Sequence, residues 1–156
     1  MNQAYFHILV THFPVMGTSI GVLVLAVGIL TKLIDVRKTG LWIIAICAAL
    51  AIPSMLSGEG AEEIAENFAE VSHKVIHHHE AHAERFIWVS CALSLLAFCS
   101  LWVISRRKDY QEKILWITLL AGIAVCLMAL RVAHTGGQIR HPETALDFAV
   151  PSPKDH

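Results

Sequence analysis

Residues 8–34 read ILVTHFPVMGTSIGVLVLAVGILTKLI, an apolar run broken by a single charge, Lys32, near its end. A helix that crosses a bilayer needs about 20 such residues. Three more runs follow, at about 41–57, 86–104 and 114–134. In lipid each must be a helix, because an open strand edge leaves backbone groups unpaired. The expectation is therefore an all-α, multi-pass integral membrane protein with four spans. One domain would cover 1–145, with an acidic, histidine-rich loop at 58–85 and a C-terminal tail at 146–156.

Composition agrees. Hydrophobic residues make up 55% of the 156 and charged ones only 16%, and mean hydropathy is +0.57. Soluble domains rarely combine these values. A formal net charge of −1 provides no global basic field for nucleic acid, and no zinc-finger spacing is present. Cys47, Cys91, Cys99 and Cys126 all lie inside apolar runs, and no CxxC occurs. That excludes an exposed disulfide framework and covalent c-type haem attachment. The first seven residues carry no basic side chain, and no small-residue cleavage site follows the first run. It reads as a retained helix rather than a signal peptide. Neither a nucleophile-elbow Ser nor a phosphate-cradling Gly loop appears, so hydrolase chemistry has no support.

The loops set an orientation. The first short loop carries Lys32, Arg37 and Lys38; the third carries Arg106, Arg107, Lys108 and Lys113. Both should be cytoplasmic by the positive-inside tendency. The middle loop holds Glu59, Glu62, Glu63, Glu66, Glu70, Glu80 and Glu84 against Lys74 and Arg85, so it faces outward. Both termini then share that outer side, the periplasm if the source is a Gram-negative bacterium. Short connections favour antiparallel neighbours, which predicts an up-down four-helix bundle. Gly17, Gly21 and Gly28 fall on related faces of the first helix and would let a neighbour approach closely.

This topology gathers all ten histidines at the outer end: His7, His12, His73, His77, His78, His79, His82, His134, His141 and His156. Imidazole binds metals and takes up protons near neutral pH. His78 and His82 share a helix face, as do His73 and His77, and such pairs can chelate a transition metal. The register excludes a HExxH metalloprotease site: no histidine stands four residues after His79, where the second ligand would be needed. His7 and His12 sit five residues apart, about 140° around a helix and about 7.5 Å along it, too far apart for one small ion on one face. Pro14 frees a backbone carbonyl near residue 10 and favours a kink there. The Gly136-Gly137 pair is expected to stop the fourth helix and to return Arg140, His141 and Glu143 toward the bundle mouth.

Several of these pieces resemble a known group when taken together. They are His7-Ile8-Leu9-Val10-Thr11-His12-Phe13-Pro14-Val15, Ser57-Gly58-Glu59-Gly60-Ala61-Glu62-Glu63, His79-Glu80, and Gly136-Gly137-Gln138-Ile139-Arg140-His141-Pro142-Glu143. The chain resembles the DUF2231-like family of uncharacterised small bacterial four-helix membrane proteins, over nearly its whole length. The resemblance implies a bacterial inner (plasma) membrane. Relatives of this type are sometimes joined to Rieske-type iron–sulfur domains, which implies a redox setting. The family-like positions are His7, His12, Glu59, Glu62, His79, Glu80, Arg140, His141 and Glu143. His73, His77, His78 and His82 are additions.

Three functions follow as expectations. The first is a b-type haem carrier in electron transfer, with His12 and either His79 or His82 as axial ligands. His7 and His141 are alternatives, and Arg140 would meet a propionate. The second is a non-haem iron, copper or zinc site drawn from His12, His79, His82, His141, Glu59, Glu62, Glu80 and Glu143. The third is a non-enzymatic, pH-sensitive subunit of a membrane complex. Expected partners are the lipid bilayer and other membrane redox subunits or a second copy of the chain. Orientation is directly testable. A phosphatase reporter inserted between the second and third spans should be active, and one inserted after Lys108 should be silent. The reverse pattern would refute the outward histidine end.

Overall fold

The computed structural model describes residues 3–61 and 73–140, with side chains throughout except at Gln3, His73, Lys74, Lys108 and Arg140. Every long element is helical, and no strand occurs among the described residues. The first rod comprises α1 (Gln3–His12), a π-helical turn (Phe13–Gly17) and α2 (Thr18–Thr31). The second comprises α3 (Ile34–Ala49) and α4 (Ala51–Leu56). The third and fourth are α5 (His73–Arg106) and α6 (Gln111–Arg140), joined through a short 3-10 turn at Lys108–Tyr110, and α6 runs on through Gly136 and Gly137 instead of stopping there as expected. Within these rods four stretches are long and apolar enough to cross a membrane: Ala4–Thr31, Ile34–Leu56, Val75–Arg106 and Gln111–Ile139. Consecutive rods pack side by side, and α6 returns to α2, closing an up-down four-helix bundle.

Both prolines inside the rods have a local solution. Pro14 has no N–H to donate, and its ring would clash with the carbonyl four residues back. The turn there widens, so that the Thr18 N–H reaches the Phe13 carbonyl, five residues away. π-Turns of this kind let a helix continue past an obstruction. Pro53 sits in the first turn of α4, where a missing N–H falls among donors that have no intrahelical partner anyway. The second apolar run is consequently two helices meeting at Leu50, whose N–H reaches the carbonyls of Ile46 and Cys47.

The interior is built from small residues. Ala45, Ala48, Ala51, Ala97, Ser90 and Ser100 are fully buried beside Leu25, Leu41, Ile44, Leu93 and Leu115. Large apolar side chains such as Leu23, Leu30, Leu95, Leu120, Leu127 and Leu130 point outward. Water would penalise such a surface. Lipid does not, and it gives helices no hydrophobic reason to associate, so close packing and hydrogen bonds must hold them together. Ser94 donates to the Ala45 carbonyl at 2.7 Å, joining α5 to α3. Ser100 and Thr118 share a 2.7 Å bond between α5 and α6. Exposed Trp42, Trp102, Trp116 and Tyr110 ring one end of the bundle. Tyr5 and Trp88 stand exposed toward the other, in the manner of aromatic belts at the two membrane boundaries.

Glycine sets the closest contact. A Cβ on Gly40 would lie 2.5 Å from the Leu25 backbone nitrogen. One on Gly28 would lie 2.6 Å from the Arg37 backbone nitrogen, and one on Gly21 2.9 Å from that of Ile44. The expected approach along Gly17, Gly21 and Gly28 is thus present, and Gly40 supplies its counterpart from the facing helix. Arg37 uses the gap: buried, it donates from Nε to the Gly28 carbonyl at 3.0 Å and from Nη1 to Glu112 of α6 at 2.7 Å. It therefore caps the carbonyl end of α2, where positive charge is favoured. Gly40→Ala should destabilise the folded protein in detergent by about 1–3 kcal/mol through overpacking. Gly137→Ala, with nothing within 4 Å of the added carbon, should be neutral or slightly stabilising. Thermal unfolding followed by circular dichroism compares them, and equal midpoints would remove the close-contact account.

Candidate functional site

At the end of the bundle away from the Arg37–Glu112 pair, two half-buried imidazoles are held by the same device. His7 projects from α1 toward α4. Its Nδ1 lies 3.0 Å from the Ser54 carbonyl oxygen and 3.1 Å from Ser57 Oγ. A carbonyl can only accept, so Nδ1 carries the proton. His79 projects from α5 toward α6, with Nδ1 3.0 Å from Thr135 Oγ1. The Thr135 hydroxyl donates its own hydrogen to the Val132 carbonyl at 3.1 Å, so it accepts from His79. Both rings are thereby set in one tautomer, and each Nε2 keeps a free lone pair. This is how metal-binding histidines are commonly oriented: the second nitrogen donates to an oxygen of the protein.

Both rings lie at the same end of the bundle, His7 against Ser54 and Ser57 and His79 against Thr135. Each ring also has a glycine at its edge. A Cβ on Gly136 would stand 3.1 Å from His79 Cε1, and one on Gly58 would stand 3.8 Å from His7 Cε1. The first is a tight approach, with Nδ1 at 3.5 Å and Nε2 at 3.8 Å, and the second is ordinary van der Waals contact.

The other candidates are arranged differently. His12 is exposed, and its Nδ1 donates to the Ile8 carbonyl of its own helix at 2.6 Å. No hydrogen bond joins it to His79. His82 donates from Nδ1 to the His78 carbonyl at 2.9 Å, and the His78 and His82 rings meet at a tilt of 44° with centroids 4.6 Å apart. His77 pairs with Glu80 at 3.0 Å on the exposed side of α5. Glu59 is exposed. Arg140 is the last residue of α6, and its side chain is not described. Glu62, His141 and Glu143 lie outside the described residues. Among the described residues no group of three or more His, Cys, Asp or Glu could hold a metal ion.

The sequence reading did not single out Ser54, Thr135 or Arg131. Ser54 and Thr135 look like ordinary small polar residues of apolar helices, and only the packing shows that they accept from imidazoles. Arg131 was legible in principle, since it is a charge inside the fourth apolar run.

A family model for predicted membrane proteins, DUF2231, matches residues 4–142. The chain belongs to this family. The DUF2231 match spans all four rods and takes in both His7 and His79. No curated protein and no solved structure matches the chain.

Thr135→Val keeps the shape of the side chain and removes the acceptor. The His79 ring then loses one hydrogen-bond partner, at a cost of about 1 kcal/mol. Nitrogen-15 spectra of the imidazole should show a single Nδ1–H form in the parent and a tautomer mixture in the variant. Identical spectra would mean that Thr135 does not set the ring.

Proposed function

We propose that this membrane protein carries a b-type haem at its histidine end for electron transfer, with His7 and His79 as the axial ligands. The observation that carries the reading is the pair of half-buried imidazoles at one end of the bundle, each with Nδ1–H anchored on a neighbouring helix and with no Nε2 hydrogen bond among the described residues. A bare metal ion takes about four ligands, at least three of them from the protein, and the described residues offer no such group. A porphyrin brings four nitrogens of its own and asks the protein for two axial donors. His7 and His79 would supply those two donors.

On this reading the protein's part is orientation. Ser54 and Thr135 hold the rings in the ligating tautomer, and the apolar rods hold the ring-bearing ends in the membrane boundary. Arg140 at the end of α6 is the residue offered to a propionate. A bound haem supplies one-electron transfer, and other membrane redox subunits, or a second copy, are the expected partners. The basic loops favour an outward, periplasmic position for the site.

Absorption spectroscopy tests this directly. The full chain, purified from cells supplied with haem, should show sharp visible bands on reduction. His7→Ala and His79→Ala should each abolish them, whereas His12→Ala should leave them. A colourless protein that carries iron, copper or zinc by mass spectrometric metal analysis would overturn the haem reading in favour of a non-haem site. Glu62, His141 or Glu143 would then be the further ligands to examine. A protein with neither haem nor metal would favour the pH-sensitive subunit.

A further inference from the structure

Six residues along α5 from His79 lies a second cluster. His82 and Arg85 of α5 and Met128 and Arg131 of α6 line a pocket of about 80 Å³. The two arginines face one cavity from neighbouring helices. Among the described residues the ion pairs are Arg37–Glu112 and His77–Glu80, so neither Arg85 nor Arg131 meets a carboxylate there. Two permanent positive charges held together repel, more strongly as the surroundings become less watery. An anion between them reverses the sign of that interaction.

The location says which anion. Trp88 is exposed and stands three residues along α5 from Arg85, about 4.5 Å deeper. Trp88 lies within α5, at the start of the apolar run that opens at Phe86, and an exposed tryptophan at the edge of such a run marks the membrane boundary. Leu127 and Leu130 flank the pocket on α6 and are exposed as well, so this flank is apolar and suited to acyl chains. The pocket thus opens at headgroup depth onto lipid. Its volume is well below the roughly 300–1,000 Å³ of sites that enclose a drug-sized ligand. It suits a small charged group whose remainder stays outside. Guanidinium forks match phosphate oxygens bidentately, and basic pockets between transmembrane helices take lipid headgroups.

We propose that Arg85 and Arg131, with His82 beside them, bind the phosphate of an anionic membrane lipid whose acyl chains lie along α5 and α6. The site is separate from the proposed axial pair, since its charged groups do not include His7 or His79.

Native mass spectrometry of the full chain in detergent, offered phosphatidylglycerol or phosphatidylcholine, tests it. The parent protein should retain phosphatidylglycerol several-fold better. Arg85→Gln with Arg131→Gln should reduce retention to the phosphatidylcholine level, and Arg85→Lys with Arg131→Lys should recover part of the preference. Circular dichroism and size exclusion establish that the variants fold. Equal retention of the two lipids by the parent would overturn the proposal. So would an unchanged preference in the folded glutamine variant. Displacement of phosphatidylglycerol by an equal concentration of inorganic phosphate would overturn the lipid assignment by pointing to a soluble anion. The haem spectrum is an independent readout: it should survive the glutamine substitutions, so failure of one reading does not imply failure of the other.

Discussion

The backbones of α2 and α3 touch. Gly28 lies against Arg37, Gly40 against Leu25, and Gly21 against Ile44, each at a distance that leaves no space for a side-chain carbon. In lipid the apolar surface of a helix gains little by leaving its surroundings, so dispersion at close range and a few hydrogen bonds must supply the association. Glycine makes that range possible. The same gap lets the Arg37 guanidinium cap the carbonyl end of α2 while reaching Glu112 of α6. One contact therefore sets the spacing of the first two rods and ties the fourth to them.

That spacing has consequences at the far end. With α2 and α3 locked, α1 is carried past Pro14 by the π-turn and delivered alongside α4, where Ser54 and Ser57 meet His7. The third and fourth rods run antiparallel, held by Ser100 and Thr118 deep in the bundle. Their outer ends bring His79 to Thr135, and the pocket of Arg85 and Arg131 lies closer to the membrane. Both proposed sites are thus by-products of helix ends that protrude past a rigid glycine- and serine-lined core. A helix end at the boundary is also where such groups are cheapest to place, since imidazole and guanidinium pay little desolvation there compared with the bilayer centre.

Much of the fold was legible. The four apolar runs and the short connections led to an all-α up-down bundle, as the described helices show, and the family match over 4–142 agrees that the chain is a membrane protein. The gathering of histidines at one end was legible too. Which histidines meet was not. The expectation paired His12 with His79 or His82 and kept His7 as an alternative; in the structure His7 is half-buried against Ser54, whereas His12 is exposed and bonds its own helix. The 140° between the two positions on α1 means that only one of them can face the bundle, and which one depends on how the rod is rotated. That rotation comes from the glycine contact and the π-turn, and neither is a property of residues 7 to 12 alone.

The sequence by itself determined the class of protein and the end of the bundle where chemistry can occur, because hydropathy and charge act over whole segments and do not depend on neighbours. Tertiary structure alone decided the pairs: Ser54 with His7, Thr135 with His79, Arg85 with Arg131, Arg37 with Gly28. Each joins residues from different helices or across a turn. Their distances follow from helix rotation and register, which a linear pattern leaves free and packing fixes.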